Sequence, residues 1–267
     1  MKIIDLFKSL GLPFGIIPYS ECEILKPHLT EKSNISPETV IVLLAPYYSK
    51  PFEDRNVSLY AVPKDYHIYF AGLFEKLTHK LKELYPENKF VGFADHSPIN
   101  EVHAAAKAGL GAVGDNGLLI NGDYGSYVFI GEILTDIPYS DDLGVVSTAE
   151  TQCDHCGICK RSCPKSDKCL SSITQTKNIT SEDEKKLIIE NGCAWGCDIC
   201  QTVCPMNLNI KTTDVDFFKE DLLPFVDSEM IRGMSEEEFG SRAYSWRGKN
   251  CILRNLSLLE DKGESNV

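Results

Sequence analysis

The chain has 267 residues and a formal net charge of −12 at pH 7. This length suits two domains rather than one, and no stretch approaches the roughly 18 apolar residues of a membrane span. The acidic balance argues against a broad polyanion-binding surface. The first residues lack a secretory signal pattern, so a cytoplasmic protein without membrane association is expected. Basic residues cluster only locally, beside the first cysteine run and near the end: Lys160, Arg161, Lys165 and Lys168, then Arg242, Arg247, Lys249 and Arg254.

Residues 1–145 are predicted to form an α/β domain. Thr39–Ala45 is a short apolar, β-branched run stopped by Pro46, which is typical of a buried strand. Apolar residues recur at steps of three and four from Tyr66 to Leu84 and indicate a helix that ends before Pro86. The other predicted elements are a helix in the first residues, a strand from Phe90 to Ala94, a helix from Glu101 to Ala108, and a strand or strand pair from Ser126 to Ile137.

A glycine-rich segment follows the second predicted helix, and Gly109–Gly114 spells G-x-G-x-x-G. A dinucleotide-binding fingerprint needs a strand before it and a helix that opens within it. Here a helix precedes the motif and the turn-like Asp115-Asn116-Gly117 follows it. The order therefore argues against a nicotinamide site. Because glycine lets the main chain approach closely, the segment favours backbone contact with a large planar ligand.

Nine of the eleven cysteines lie between positions 153 and 204. The first run, C-x2-C-x2-C-x3-C-P, has the bacterial-ferredoxin spacing for cubane [4Fe–4S] clusters. Disulfides are disfavoured in a reducing compartment, and a structural zinc site favours four-cysteine groups of the ribbon type. The pattern therefore predicts two [4Fe–4S] clusters, whose cysteines are Cys153, Cys156, Cys159 and Cys163 in the first run and Cys197, Cys200 and Cys204 in the second.

In two-cluster ferredoxins each cysteine triplet shares its cluster with the distant cysteine that precedes a proline. Cluster one then takes Cys153, Cys156, Cys159 and Cys204. Cluster two takes Cys163, Cys197 and Cys200 and needs one more thiolate. Both Cys169 and Cys193 are candidates, and the spacing alone does not decide between them because position 194, where a symmetric ferredoxin has cysteine, is alanine.

The predicted architecture has three parts. Residues 1–145 form the mixed domain (α/β or α+β), residues 146–212 a ferredoxin-like module with two clusters, and residues 213–267 a helical segment. Asp141–Glu150 is the predicted connector, Arg242–Leu259 a final helix, and the last eight residues a frayed end.

Several phrases outside the cysteines resemble the epoxyqueuosine reductase family, which is cobalamin- and iron–sulfur-dependent. They occur in the family's order over about residues 40–255. The matching phrases are Lys64-Asp65-Tyr66-His67, Asp95-His96-Ser97-Pro98-Ile99-Asn100-Glu101, Ala108-Gly109-Leu110-Gly111, the stretch from Gly125 to Asp136, Cys169-Leu170-Ser171-Ser172-Ile173-Thr174, Gly196-Cys197-Asp198-Ile199-Cys200-Gln201, and Leu253-Arg254-Asn255.

The resemblance implies a base-off cobalamin that receives electrons through the clusters and drives removal of the epoxide oxygen of epoxyqueuosine in tRNA. It implies that Asp95 donates the proton, a role best served by an acid whose pKa is raised by burial; the alternative is that Asp95 caps the helix starting near Pro98. It also implies that Cys169 completes cluster two and Cys193 is a spare thiol. No residue pattern places histidine on cobalt, because D-x-H-x-x-G fails at Phe70. The residues expected to contact cobalamin are Tyr66, His67, Asn116, Gly117, Ser126, Tyr127 and Ser171.

Three departures from the family leave the substrate open. The usual lysine after the glycine run is Asp115, the arginine before Asp-Tyr-His is Lys64, and the sequence stops soon after Asn255, which is expected of a short form without the helical-repeat extension. The alternatives are a cobalamin and iron–sulfur reductase of a small activated molecule, such as a halogenated one, and an electron carrier without cobalamin. The expected partners are tRNA or that small substrate and a ferredoxin- or flavodoxin-type reductant, and the protein is expected to be a monomer.

Overall fold

The computed structural model describes residues 2–140, 143, 152–164, 168–179 and 181–264. These residues form two compact units, each built from three separate segments. The first unit contains residues 1–47, 67–156 and 205–212, and the second contains residues 48–66, 157–204 and 213–267. Apart from position 143, the predicted connector at 141–150 lies outside the described residues, as do Lys165 and positions 265–267. The three-part division at 145 and 212 stays a prediction.

The first unit is built on a four-stranded sheet. Its strands are β1 (Phe14–Pro18), β2 (Thr39–Pro46), β3 (Phe90–Phe93) and β6 (Val128–Thr135), in the order β1-β2-β6-β3. Every pairing among them is antiparallel. A separate two-stranded hairpin is formed by β4 (Ala112–Val113) and β5 (Leu119–Ile120). The predicted mixture of helices and strands is confirmed, with an antiparallel sheet.

Helices cover both faces of this sheet. They are α1 (Ile3–Lys8), α2 (His28–Lys32), α3 (Tyr66–Leu84) and α4 (Glu101–Lys107). Side chains alternate across a strand, so Val40, Val42 and Leu44 of β2 pack in one core with α4. Ile41 and Leu43 pack in a second core with α1 and α3. Strand β2 is therefore buried on both faces, as its continuous apolar run predicts.

The alternation also fixes the side of the sheet on which the acidic residue of β6 lies. Ile130 and Leu134 belong to the core that packs against α4, and Glu132 lies midway between them on the same strand. Its side chain therefore points to the α4 face. In the register with β3, Glu132 is paired with Phe93.

The second unit is largely helical. Its helices are α5 (Ile158–Ser162), α6 (Leu170–Thr174), α7 (Glu182–Asn191), α8 (Ile199–Thr202), α9 (Ser228–Gly233), α10 (Glu236–Gly240) and α11 (Lys249–Glu264). The last helix begins at Lys249 rather than at Arg242, because Gly248 interrupts the chain with a φ of +79°. None of the described helices is long and apolar enough to cross a membrane.

A buried carboxylate ties segment 55–59 to the second cysteine run. Asp198 is 5% exposed and accepts hydrogen bonds from the Ser58 hydroxyl and from the Leu59 N–H, the latter at 2.7 Å. It also forms an ion pair with Arg55. Each acceptor oxygen thus has at least one donor, which compensates the cost of burying the charge.

Candidate functional site

Asp95 lies on a tight turn just after β3. The His96 N–H donates to the Ala94 carbonyl at 2.7 Å, the hydrogen bond of a three-residue γ-turn with Asp95 at its centre. Asp95 has a φ of +61°, a conformation that residues other than glycine seldom adopt and that often marks a functional position. Its side chain is 68% exposed. The expected burial of this acid is therefore wrong, and so is the capping alternative, because the N-cap of α4 is Asn100.

Glu101 accepts the backbone N–H of Asp95 at 3.0 Å. Burial, followed by the neighbouring Asp95 charge, raises the pKa of the Glu101 carboxyl to about 7. The hydrogen bond from Asp95 and the nearby Lys26 and His67 act in the opposite direction. Lys26 reaches this position because residues 25 and 26 both donate backbone hydrogen bonds to the Pro98 carbonyl, at 2.8 and 3.0 Å.

Glu132 is a second acid near the turn, and it is completely buried. Burial, followed by the charge of Glu101, raises the pKa of Glu132 well above its ordinary value of 4.5. The Ser97 side chain acts in the opposite direction and lowers the pKa. Neither carboxyl oxygen has a hydrogen-bond partner among the described residues by distance and angle. Three acids near this turn in the first unit therefore differ in burial, which increases from Asp95 through Glu101 to Glu132.

The predicted cobalamin contacts are divided between the two units, with five of them in the first. His67 Nε2 lies 3.8 Å from Asp95 Oδ2. Ser126 instead binds Asn207, donating its N–H to Oδ1 at 2.7 Å and accepting from Nδ2 at 2.9 Å. Tyr127 is buried, edge-on to the Tyr47 ring. Tyr66 and Ser171 belong to the second unit.

The turn of the β4–β5 hairpin has features of a ligand contact. Gly117 has a φ of +79°, and a Cβ added there would meet no atom within 4 Å. The Asn116 side chain accepts the Leu118 N–H through Oδ1 at 3.2 Å, but its Nδ2 is buried without a partner among the described residues. A buried donor without an acceptor is costly. The amide-rich rim of a corrin could supply that acceptor, so these residues fit cobalamin.

Asp115, at the position where the family usually has lysine, is paired with a histidine from the first cysteine run. His155 Nδ1 lies 2.9 Å from Asp115 Oδ1. One ligand atom from each of Asp115, Cys153 and His155 lies within 4.8 Å of the others. Such a group has suitable donors for a single ion, and it competes with the predicted use of Cys153 in a cluster.

Six of the predicted cluster cysteines lie in the second unit, and four of them are the predicted ligands of cluster two: Cys163, Cys169, Cys197 and Cys200. None of these four described cysteines forms a disulfide, and Cys169 is exposed. Burial raises the pKa of Cys197, and the neighbouring Cys169 and Cys163 thiols raise it further. The arrangement of these thiols around Cys197 fits the ligand set proposed for cluster two. The structure places Cys153 and Cys156 in the first unit and Cys159 and Cys204 in the second.

Cys193, the other candidate ligand, is already engaged with backbone. Its thiol donates to the carbonyls of Trp195 and Gly196, at 3.3 and 3.2 Å. Burial, followed by the Asp198 charge, raises the pKa of Cys193 to about 12. A metal ligand must be a thiolate, so this environment favours Cys169 over Cys193.

The sequence did not assign roles to Glu101, Glu132, His155 and Asp198. A signal was present for two of them. Glu101 closes the D-x-x-P-x-x-E phrase, and Glu132 interrupts an otherwise apolar strand. A charge at such a position is seldom buried without a reason.

Comparison with solved structures shows which class of protein has this architecture. The fold matches a crystal structure of epoxyqueuosine reductase with an epoxyqueuosine-modified stem loop of tyrosine tRNA, with a TM-score of 0.77 and 22% identity over 96% of this chain and 79% of that one. No family model matches the chain. The fold is therefore that of the epoxyqueuosine reductases.

Two curated relatives extend the similarity to the sequence. The chain is 33% identical over 210 residues to the epoxyqueuosine reductase of Lactococcus garvieae and 34% identical over 217 residues to that of Listeria monocytogenes. These alignments include 72 and 73% of this chain. The chain belongs to the epoxyqueuosine reductase family. It spans 58 and 54% of the length of these two relatives.

Proposed function

We propose that this chain is an oxidoreductase that reduces the epoxide of epoxyqueuosine in tRNA to the alkene of queuosine. The observation that carries the proposal is the Asp95 turn. It presents an exposed carboxyl at the position of the family's proton donor, in a backbone conformation held by Glu101. The structural relative with a modified tRNA stem loop supports tRNA as the substrate class.

Two [4Fe–4S] clusters and base-off cobalamin are the cofactors of this proposal. Cluster one is held by Cys153, Cys156, Cys159 and Cys204, and cluster two by Cys163, Cys169, Cys197 and Cys200. When bound, these cofactors supply two electrons of low potential. In the first unit, the hairpin turn at Asn116 and Gly117 and the His67 ring would contact the corrin. A ferredoxin- or flavodoxin-type protein supplies the electrons, and the enzyme acts as a cytoplasmic monomer.

Removal of an epoxide oxygen as water takes two electrons and two protons. The carbon–oxygen bond breaks more easily when a nearby acid protonates the departing oxygen. The Asp95 carboxyl donates one of the two protons and solvent supplies the other. Asp95 Oδ2 lies 3.8 Å from His67 Nε2. The γ-turn fixes the backbone that carries the carboxyl, which lowers the entropy lost in reaching the reactive geometry.

Reduction of a small activated molecule is the second candidate, and one observation favours it. Several side chains of the local basic clusters donate hydrogen bonds to backbone carbonyls of the second unit. Arg254 donates to Thr176 and Lys177 at 2.7 and 2.8 Å, Arg242 to Asp221 at 2.6 Å, and Lys249 to Met234 at 2.6 Å. This reduces the positive surface that the C-terminal segment could offer to RNA.

The test of function is nucleoside mass spectrometry on tRNA from cells lacking the gene. Accumulated epoxyqueuosine that disappears on complementation supports the tRNA substrate. Normal queuosine, together with anaerobic turnover of a halogenated small molecule by the purified protein, supports the second candidate. The electron-carrier alternative is favoured if the reconstituted protein fails to bind cobalamin.

The ligand assignment is tested by a matched pair of cysteine variants. Anaerobically reconstituted protein should contain about eight irons, from two cubanes. Cys169→Ser should lose about four of them, whereas Cys193→Ser should keep them all. Equal iron content in the two variants, or loss only in Cys193→Ser, would contradict the assignment.

A further inference from the structure

The turn that carries Asp95 is held by a titratable group that the proposed chemistry does not use. A γ-turn with positive φ at a non-glycine residue is strained and persists only when neighbouring contacts fix it. Among the described contacts, the Asp95 N–H has one acceptor, Glu101 Oε2 at 3.0 Å. Because Glu101 is the first residue of α4, whose N-cap Asn100 accepts the His103 N–H, its backbone is fixed independently of the turn.

We propose that Glu101 is the positioning residue for Asp95. Its carboxylate stabilises the turn that carries Asp95, and protonation of Glu101 weakens this stabilisation. This inference rests on the proposed role of Asp95 as proton donor. An ionised carboxylate accepts an N–H bond about twice as strongly as a neutral group does. A protonated Glu101 therefore stabilises the strained turn less than an ionised Glu101 does.

The surroundings of Glu101 set the pH at which this change occurs. The charged and titratable groups that face it are Asp95 from the turn, Lys26 from the segment paired with residues 98–100, His67 from α3 and Glu132 from β6. Burial and the Asp95 charge place the pKa of Glu101 at about 7. The pKa of Glu132 is also raised above its ordinary value, by complete burial and by Glu101 itself.

The sign of the resulting pH effect separates the two acids. A general acid acting alone loses activity as the pH rises, because it must be protonated to donate. Stabilisation of the Asp95 turn by Glu101 requires the ionised carboxylate, so it weakens as the pH falls through about 7. The intact enzyme should therefore lose kcat as the pH falls through about 7, which is opposite to the trend of a general acid without such support.

Hydrogen exchange of the full chain, reconstituted anaerobically with its cofactors, tests the stabilisation of the turn without a substrate. Peptides covering residues 94–97 are compared for the wild type, Glu101→Ala, Glu101→Gln and the control Glu23→Gln at pH 6, 7 and 8, after correction for intrinsic exchange. Glu23 is a matched control because its carboxylate contacts Asn100 and His103 at the start of the same helix, but not Asp95.

At pH 8 we expect Glu101→Ala to exchange about tenfold faster than the wild type in this peptide, since a hydrogen bond to a charged group is removed. Glu101→Gln keeps an acceptor of the same size, so its exchange should be intermediate and independent of pH. Wild-type protection should fall from pH 8 to pH 6, and Glu23→Gln should follow the wild type. Unchanged exchange in Glu101→Ala, or a pH trend retained in Glu101→Gln, would overturn the proposal.

Turnover supplies the second readout. Glu101→Ala should lower kcat about tenfold with little change in KM, in line with the hydrogen bond lost, and Glu101→Gln should lack the acidic fall in kcat. A role confined to folding would lower stability and leave the pH profile of the remaining activity unchanged, and that result counts against the proposal. If neither the wild type nor any variant reduces epoxyqueuosine, the proposed function is wrong. The exchange experiment still tests separately whether Glu101 stabilises the turn.

Discussion

Each compact unit buries one carboxyl group of particular interest, and the two groups differ in how they are satisfied. Asp198 in the second unit has Arg55, Ser58 and the Leu59 N–H around it. Glu132 in the first unit is fully buried, and neither of its oxygens has a hydrogen-bond partner among the described residues. A fully bonded carboxylate links chain segments, whereas an unbonded one costs stability and is retained for another reason. Asp198 therefore helps to hold together the segments of the unit that contains most of the cysteines, and Glu132 belongs to the group of acids near Asp95.

The largest effect is expected at the acid that the first unit presents. Asp95→Asn keeps the size of the side chain and removes the proton to be donated. The loss of a positioned general acid lowers the rate by roughly 10²–10⁴-fold, so kcat for epoxyqueuosine should fall by that range while iron and cobalamin content stay unchanged. Single-turnover assays on reconstituted protein measure it. Turnover like that of the wild type would remove Asp95 from the mechanism.

The next effect tests the satisfied carboxylate. Asp198→Ala leaves the Arg55 guanidinium and two donors without their acceptor. Removing one partner of a buried pair costs about 3–5 kcal/mol; because Arg55 is 24% exposed, about 3 kcal/mol is expected here. Denaturant unfolding under anaerobic conditions gives the free energy, with Asp216→Ala, which removes an exposed pair with Lys219, as the control. A loss no larger than that of the control would show that Asp198 does not help to hold the segments of the second unit together.

The sequence predicts the cysteine ligand sets because cluster ligation depends on spacing along the chain, and these sets stay predictions. The choice between Cys169 and Cys193 could not be made in this way, because the spacing favours neither of them. The distinction lies in the carbonyls of Trp195 and Gly196 that occupy the Cys193 thiol. These contacts arise from local folding of a loop, which periodicity does not reveal.

The regular elements of the first unit were also predictable where burial produces a clear pattern. The helix Tyr66–Leu84 and the strand that begins at Thr39 are present as expected. The arrangement of acids was not predictable, because it depends on pairing between β3 and β6 across about forty residues of sequence. That register sets Glu132 opposite Phe93 and next to the turn at Asp95. Likewise, the role of Glu101 depends on the positive φ of Asp95, which the sequence does not indicate at an aspartate.

The smallest effect concerns Glu132, and its sign is opposite to that at Asp198. Replacing this unbonded carboxyl by the similarly sized Met should stabilise the first unit by about 1 kcal/mol, since burying an unsatisfied polar group costs about 1–3 kcal/mol and repacking is imperfect. The pH dependence gives a sharper test. The folded-state pKa of Glu132 is raised above its ordinary value of 4.5, so its contribution is fully present below about pH 4.5 and is lost as the pH rises towards the folded-state pKa.

The gain from Glu132→Met should therefore grow from pH 5 to pH 8, because the wild type becomes less stable over that interval. Unfolding free energies of both proteins, measured anaerobically at several pH values, give the difference. Glu132→Gln is the informative companion, since it removes the titration but keeps a buried polar group, and it should flatten the pH dependence without the full gain. A difference between wild type and Glu132→Met that stays constant with pH would mean that folding does not raise the pKa of Glu132, as when a partner satisfies its carboxylate. The contrast with Asp198 would then disappear.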